Sequence, residues 1–172
     1  LQIHPDAEAA QVGFAAEEAA GLPSDDPRRS FRDNRPKPEL ACALSPFEVL
    51  CGFRPVEEAL EVMAGLNLPA SLGAELAAQG PAGWSALVRD ILAGPLVGAA
   101  DELVRTCRAV DGGPWSGTAA LVAHLADLYP GDPALLLVPL LGHHRLKPGD
   151  AVAVATGVPH AYLSGMAVEA LP

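Results

Sequence analysis

The stretch that decides the fold is PALLLVPLLGHHRLKPGDAVAVATGVPHAYLSGMAVEAL, residues 133–171, in which apolar runs are separated by Gly and Pro at strand-length intervals. Within it, residues 147–150 (KPGD) have the composition of a turn. Short apolar runs joined by such turns are typical of antiparallel strands. We therefore predict β structure from residue 132 to residue 172.

The middle of the chain has a different texture and predicts a helical block. Apolar residues recur there at helical spacing, and Gly or Pro separates one segment from the next. The segments are VEEALEVMAGL (56–66), SLGAELAAQ (71–79), WSALVRDILAG (84–94), AADELVRTCRAV (99–110) and GTAALVAHLADLY (117–129). We expect four or five packed helices.

The N-terminal part of the chain mixes strand and helix signals. Residues 1–4 alternate apolar and polar side chains, as at the end of a strand, which would place Gln2 and His4 on one face. Residues 6–20 are rich in helix formers and predict a short helix. The proline-rich stretch 22–38 that follows is expected to be a loop.

Residues 39–53 have two interpretations. The sequence SPFE at residues 45–48 matches a capping box with proline at the first helical position, which favours a helix. Two strands around a Ser-Pro turn are favoured instead by apolar residues at every second position, namely Phe47, Val49, Cys51 and Phe53. We prefer the strand pair.

These segments together predict an α+β fold, in which a helical subdomain is inserted into a β core. The core would comprise residues 1–54 and 132–172, and the insertion residues 55–131. The length of 172 residues suits one domain of this kind.

The charge and the cysteines restrict the function classes. A formal net charge of −10 repels nucleic acid and anionic membranes, so neither is expected as a partner. No apolar run reaches the ~18–20 residues that a membrane span needs, and no signal-peptide pattern precedes the first motif. Three cysteines without a Cys-x-x-Cys pair suit reduced thiols in a cytoplasm. The chain begins at Leu1 rather than Met, which predicts a fragment.

A metal site is the candidate functional site that remains once the common nucleotide-binding and hydrolase motifs are excluded. The phosphate-binding GxxxxGK[ST], the dinucleotide-binding GxGxxG and the hydrolase GxSxG motifs are absent from the sequence. Four ligand-type residues adjoin predicted strands: Gln2, His4, Glu39 and His160. A carboxylate with imidazoles suits zinc, whereas a glutamine oxygen leaves manganese, iron or cobalt open.

The competing interpretation of these residues is structural. A single histidine in a strand is more often packed or solvent-facing than bound to a metal. His143 and His144 are adjacent, so they face opposite sides of a strand and do not enter one site. His124 lies on one face of a predicted helix. Spacing alone leaves both interpretations open.

Three motifs in this order resemble those of the type I phosphomannose isomerase family. They are LQIHPD (1–6), KPELACALSPFEVLCGFRP (37–55) and LKPGDAVAVATGVPHAYLSGMAVE (146–169). The resemblance extends over essentially the whole chain, which looks like a central fragment of the family. It implies a mainly β cupin core of the jelly-roll type, incomplete here, with an inserted all-α subdomain.

The resemblance implies a metal-dependent aldose–ketose isomerase. Members of the family interconvert mannose 6-phosphate and fructose 6-phosphate through an enediol, at the entry to GDP-mannose synthesis and mannose metabolism. One zinc ion per chain is implied, with other divalent metals left open, and its ligands would be Gln2, His4, Glu39 and His160. A cytoplasmic, monomeric enzyme for a small sugar phosphate is expected. The alternative is a non-catalytic metal- or sugar-binding cupin fragment.

Three further residues occupy positions that line the sugar pocket in this family: Lys37, Tyr162 and Glu169. Isomerisation needs an acid/base group, and Glu169 is the preferred candidate because burial among its apolar neighbours would raise its pKa. A solvated loop charge for Lys37 and a pocket wall for Tyr162 are the alternative roles. The chain departs from the family at Arg35-Pro36, where the family has Asn-His, and no metal ligand is lost there.

Overall fold

A computed structural model describes residues 1–93, 96 and 98–172 of the chain. Helices and two small antiparallel sheets make the fold α+β, as predicted. Among the helices of the described residues, none combines the length and the apolarity that a bilayer crossing requires.

The chain forms two compact units, of which the first comprises residues 1–51 and 144–172 and the second residues 52–143. The N-terminal helix is α1 (Ala7–Ala19). The strands are β1 (Glu39–Ala43), β2 (Phe47–Phe53), β3 (Leu141–Leu146), β4 (Ala151–Val154), β5 (His160–Ser164) and β6 (Ala167–Ala170). The strand orders are β4-β1-β6 in one sheet and β3-β2-β5 in the other. The pairings of β1 with β4 and β6, and of β2 with β5, are antiparallel.

The strand pair preferred for residues 39–53 is confirmed by β1 and β2. Phe47 and Val49 alternate into the interior, where they form a cluster with Ala43. The turn before β6 contains Gly165 at a φ of +100°, and a Cβ at this position would lie 2.3 Å from the carbonyl oxygen of Pro46. The turns that follow β1 and β5 therefore approach each other at a position that only glycine tolerates.

The helix predicted over residues 6–20 is confirmed as α1. It begins after Asp6, whose carboxylate accepts a hydrogen bond from the backbone N–H of Ala9 at 2.8 Å. The strand expected over residues 1–4 is instead a single antiparallel bridge between Gln2 and His160.

The prediction of β structure directly after residue 132 is wrong for the first eight residues, because Pro133–Leu140 is a 3₁₀ helix. Asp132 caps this helix by accepting a hydrogen bond from the backbone N–H of Ala134 at 2.8 Å. Almost every side chain of the run is buried. A uniformly buried apolar run carries no alternation, so its sequence does not separate strand from helix.

Among its described residues the second unit contains five α-helices, in agreement with the four or five expected for the middle of the chain. They are α2 (Val56–Gly65), α3 (Ala70–Gln79), α4 (Trp84–Leu92), α5 (Ala99–Ala109) and α6 (Ser116–Leu128), with a short 3₁₀ turn at Gly80–Gly83. The 3₁₀ helix Pro133–Leu140 packs against α2, α4, α5 and α6. The segment predicted as the third of these helices ended at Gly94, which lies outside the described residues.

Candidate metal centre

His160 is the most deeply buried of the predicted ligands. It opens β5, and none of its surface is exposed. Its Nδ1 lies 3.0 Å from the carbonyl oxygen of Val158. Because a carbonyl only accepts hydrogen bonds, Nδ1 carries the proton and Nε2 presents its lone pair to the interior.

His4 reaches the same place through backbone pairing. The N–H of Gln2 donates to the carbonyl of His160 at 2.8 Å, and the N–H of His160 donates back to Gln2 at 2.9 Å. The carbonyl of His4 accepts a hydrogen bond from Gly157 at 2.8 Å. These contacts leave the two imidazole rings with centroids 5.4 Å apart.

Glu39, the first residue of β1, completes a cluster with the two histidines. Its Oε1 lies 2.5 Å from His4 Nε2, and its Oε2 lies 3.1 Å from His160 Nε2. Both nitrogens are buried, and neither has a hydrogen-bond partner within the described part of the chain. The two distances therefore show that possible metal-ligand atoms converge, rather than that they are joined by hydrogen bonds. Two imidazole nitrogens and a carboxylate oxygen within 4.8 Å of one another fit a divalent ion such as Zn²⁺.

The fourth predicted ligand, Gln2, is exposed, and it pairs with His160 through its backbone. It nevertheless lines a cavity of about 400 Å³ together with His4. The same cavity is lined by three cationic side chains, Arg32, Arg35 and Lys37. A basic cavity beside buried ligands has the chemistry to receive an anion.

Lys37 lies on this cavity rather than in the ligand cluster. Its Nζ is 3.1 Å from Asp33 Oδ2, and both side chains are partly exposed. The backbone N–H of Arg35 donates to Asp33 at 3.0 Å, and this hydrogen bond, followed by that from Lys37, lowers the pKa of Asp33. Asp33 therefore stays ionised and orients Lys37 at the cavity wall.

Tyr162 lies two residues after His160 on β5, so both side chains share one face of the strand. Its hydroxyl donates a hydrogen bond to Glu39 Oε2 at 3.2 Å. Burial and the neighbouring carboxylates of Glu169 and Glu39 raise the pKa of Tyr162, so the phenol keeps its proton near neutral pH. Glu169 itself is exposed on β6, so the burial predicted for this carboxylate is not found.

Arg29 is the residue of this region that sequence reasoning missed. It is buried, and its guanidinium donates to the carbonyls of Phe31 and Leu22, each at 2.8 Å. It also pairs with Glu18 and lies 4.8 Å from the ring centroid of Phe14, both on α1. These contacts tie the predicted loop to α1. No local pattern distinguishes this arginine from its neighbour Arg28, which is exposed.

The other histidines do not join the cluster. His144 is exposed on β3, and His124 is exposed on the predicted helix, α6. His143 is half-buried on β3. Among the residues that the structure describes, His4, Glu39 and His160 form the one group of three that could hold a metal ion.

The fold and this cluster define an α+β protein with a candidate site for a divalent metal. Comparison with known proteins narrows the class. Residues 1–56 match the family model of the phosphomannose isomerase type I catalytic domain. Over 99% of its length the chain is 32% identical to mannose-6-phosphate isomerase of Shigella flexneri and covers 44% of that protein.

Solved structures agree with the sequence comparison. Mannose 6-phosphate isomerase from Salmonella typhimurium, bound to its substrate fructose 6-phosphate and to zinc, superposes with a TM-score of 0.82 at 30% identity, over 97% of this chain and 43% of that one. The chain thus spans less than half the length of the relatives it matches. It is similar in sequence and in structure to type I phosphomannose isomerases, and the resemblance found in its motifs is confirmed.

Proposed function

We propose that this chain carries the metal centre of an aldose–ketose isomerase that interconverts mannose 6-phosphate and fructose 6-phosphate. The observation that carries the proposal is the convergence of His4, Glu39 and His160 ligand atoms at one buried point. The names of the relatives, one of them solved with fructose 6-phosphate and zinc, support this activity.

The proposed ion is Zn²⁺, one per chain. His4, Glu39 and His160 would hold it, and Gln2 is the proposed fourth ligand because its backbone is paired with that of His160. When bound, the ion supplies positive charge that stabilises the oxyanion of the enediol.

The reaction moves one proton between neighbouring carbons. A base removes the proton from C2 of the aldose, and the resulting acid returns it to C1 of the enediol, while the O2 proton passes to O1. Glu169 is the proposed acid/base group. Tyr162, whose hydroxyl interacts with Glu169 and Glu39, is the proposed wall of the sugar pocket beside it.

The cavity next to His4 is the proposed place for the substrate's phosphate. Arg32, Arg35 and Lys37 line it, and charge-assisted hydrogen bonds to a phosphate are stronger than those between neutral groups. The carboxylate of Asp33 also lines the cavity, but the three cations outnumber it. In a chain of net charge −10, this local excess of positive charge favours an anionic ligand there.

The finer architecture belongs to the same proposal. Residues 1–54 and 132–172 would be two parts of an incomplete cupin core, and residues 55–131 its helical insertion. The first division between the compact units, after residue 51, supports the first of these boundaries. The second division falls after residue 143, because the 3₁₀ helix that follows residue 132 packs with the helices. We further propose a monomer in the cytoplasm.

The test is a metal analysis of the purified chain together with a coupled assay for isomerisation of mannose 6-phosphate. We expect about one zinc per chain and turnover that a chelator abolishes and zinc restores. Stoichiometric metal without turnover would support the non-catalytic cupin fragment instead. A chain that is folded by circular dichroism but binds no metal would contradict the proposed centre.

A further inference from the structure

Tyr162 contacts the ligand cluster through a single atom of Glu39. The Tyr162 ring lies 5.8 Å from the His160 ring and 5.4 Å from the Phe47 ring, between centroids. These two rings position the phenol, whose hydroxyl is 3.2 Å from Glu39 Oε2. Of the two carboxylate oxygens of Glu39, the hydroxyl therefore contacts Oε2.

The two oxygens of Glu39 differ in their surroundings. Oε1 lies 2.5 Å from His4 Nε2, and the phenol donates to Oε2 rather than to this oxygen. Oε2 is shared between His160 Nε2, at 3.1 Å, and the hydrogen bond from Tyr162. An oxygen that accepts a hydrogen bond has fewer lone-pair directions left for a metal ion, so Oε1 is the better ligand atom.

We infer that Tyr162 is a positioning residue that makes Glu39 bind the metal through one oxygen, Oε1. This inference rests on the proposed metal centre. Binding by one oxygen keeps the coordination number low, and a catalytic zinc site needs such an open position for substrate. The hydrogen bond from Tyr162 would act as the outer contact that orients a ligating carboxylate.

The experiment compares the wild-type chain with Tyr162→Phe, which keeps the ring and removes only the hydroxyl. Tyr129→Phe is the matched control, because Tyr129 is exposed at the end of α6 in the other unit. Each protein is stripped with a chelator and titrated with Co²⁺, whose visible absorption weakens as its coordination number rises. Zinc affinity is measured by competition with a chromophoric chelator, and circular dichroism checks the fold.

We expect Tyr162→Phe to weaken the Co²⁺ absorption, because the freed Oε2 becomes a second ligand atom. We also expect a loss of zinc affinity of about 10–100-fold, the usual consequence of removing an outer-shell hydrogen bond. Tyr129→Phe should match the wild type in both readouts. The absorption change is the deciding result.

A Tyr162→Phe spectrum equal to that of the wild type would overturn the inference, even if affinity fell, because the phenol would then support only local packing. If the wild type bound no Co²⁺, the proposed metal centre would fail and this inference with it. A variant-independent check uses the infrared difference between zinc-loaded and zinc-free wild type. A wide separation of the two carboxylate stretches supports binding through one oxygen, and a narrow separation contradicts it.

Discussion

The two compact units differ in what they bury. Within the described ranges 1–93, 96 and 98–172, the buried polar or charged side chains are Arg29, Glu39 and His160, and all three belong to the first unit. The buried side chains described for the second unit are apolar. A buried polar group costs free energy unless it is paired or binds a ligand. The interior of the first unit thus includes two candidate metal ligands, Glu39 and His160, whereas the buried side chains described for the second unit contribute to packing.

The strongest test of this difference removes a ligand from the first unit. We expect His160→Ala to abolish stoichiometric zinc binding, because one of the converging ligands and its fixed geometry are lost. Elemental analysis of the dialysed protein measures the metal content. His124→Ala, an exposed histidine on α6, should keep the wild-type content. Full zinc stoichiometry in His160→Ala would mean that the ion binds elsewhere.

The corresponding test of the second unit removes an apolar side chain from its core. Leu136 in the 3₁₀ helix is fully buried, so Leu136→Ala should lower the free energy of unfolding by about 2–5 kcal/mol. Urea denaturation measures this loss. Leu128→Ala, at an exposed position of α6, should change stability by less than about 0.5 kcal/mol. The metal content of folded Leu136→Ala should stay at the wild-type value, and zinc loss in that variant would refute the division of roles.

A smaller effect is expected from the buried thiol of the second unit. Burial raises the pKa of Cys107 from 9.0 to about 11. In the unfolded chain the thiol loses its proton near pH 9, whereas the folded chain keeps it to about pH 11. Its contribution to stability is therefore complete below pH 9 and is lost as the pH rises toward 11.

Denaturation across this pH window measures the effect. Cys107→Ala should show a shallower decline of the unfolding free energy than the wild type. Cys42→Ala, at a half-buried position of β1, is the control and should decline as the wild type does. Equal slopes in the wild type and Cys107→Ala would show that the folded environment does not hold this thiol neutral.

The sequence predicted those features that depend on local periodicity. Helical spacing predicted α2 to α6, and the alternation of Phe47 and Val49 predicted β2, because each pattern is completed within a few residues. The run Pro133–Leu140 was predicted wrongly because it is apolar at nearly every position. Its conformation depends on its packing against several helices, which no local pattern contains.

For the candidate site, residue type was predictable but convergence was not. Sequence identified His4, Glu39 and His160 as possible ligands, and the family motifs grouped them. The grouping depends on backbone pairing between Gln2 and His160, which are far apart in the chain. The exposure of Glu169 likewise depends on which residues cover β6, and its apolar sequence neighbours did not reveal it.

The smallest expected effect on stability comes from a substitution on the exposed surface of the first unit. The outward face of the sheet β4-β1-β6 carries Leu40 at 48% exposure and Val168 at 56%, and Ala153 and Ala170 lie opposite Leu40 across the register. An exposed apolar face of this kind promotes association. We expect the chain to be monomeric when dilute and to scatter more light per unit mass as its concentration rises.

Val168→Lys should reduce this concentration dependence while changing the unfolding free energy by no more than about 0.5 kcal/mol, because the position is exposed. Val12→Lys, which adds the same charge at an exposed position of α1, is the matched control and should leave the scattering of the wild type nearly unchanged. An equal reduction in both variants would attribute the effect to net charge rather than to this face. A contrast between them would show that the first unit is distinguished by its exterior as well as by its core, since its apolar sheet face is then the surface that drives association.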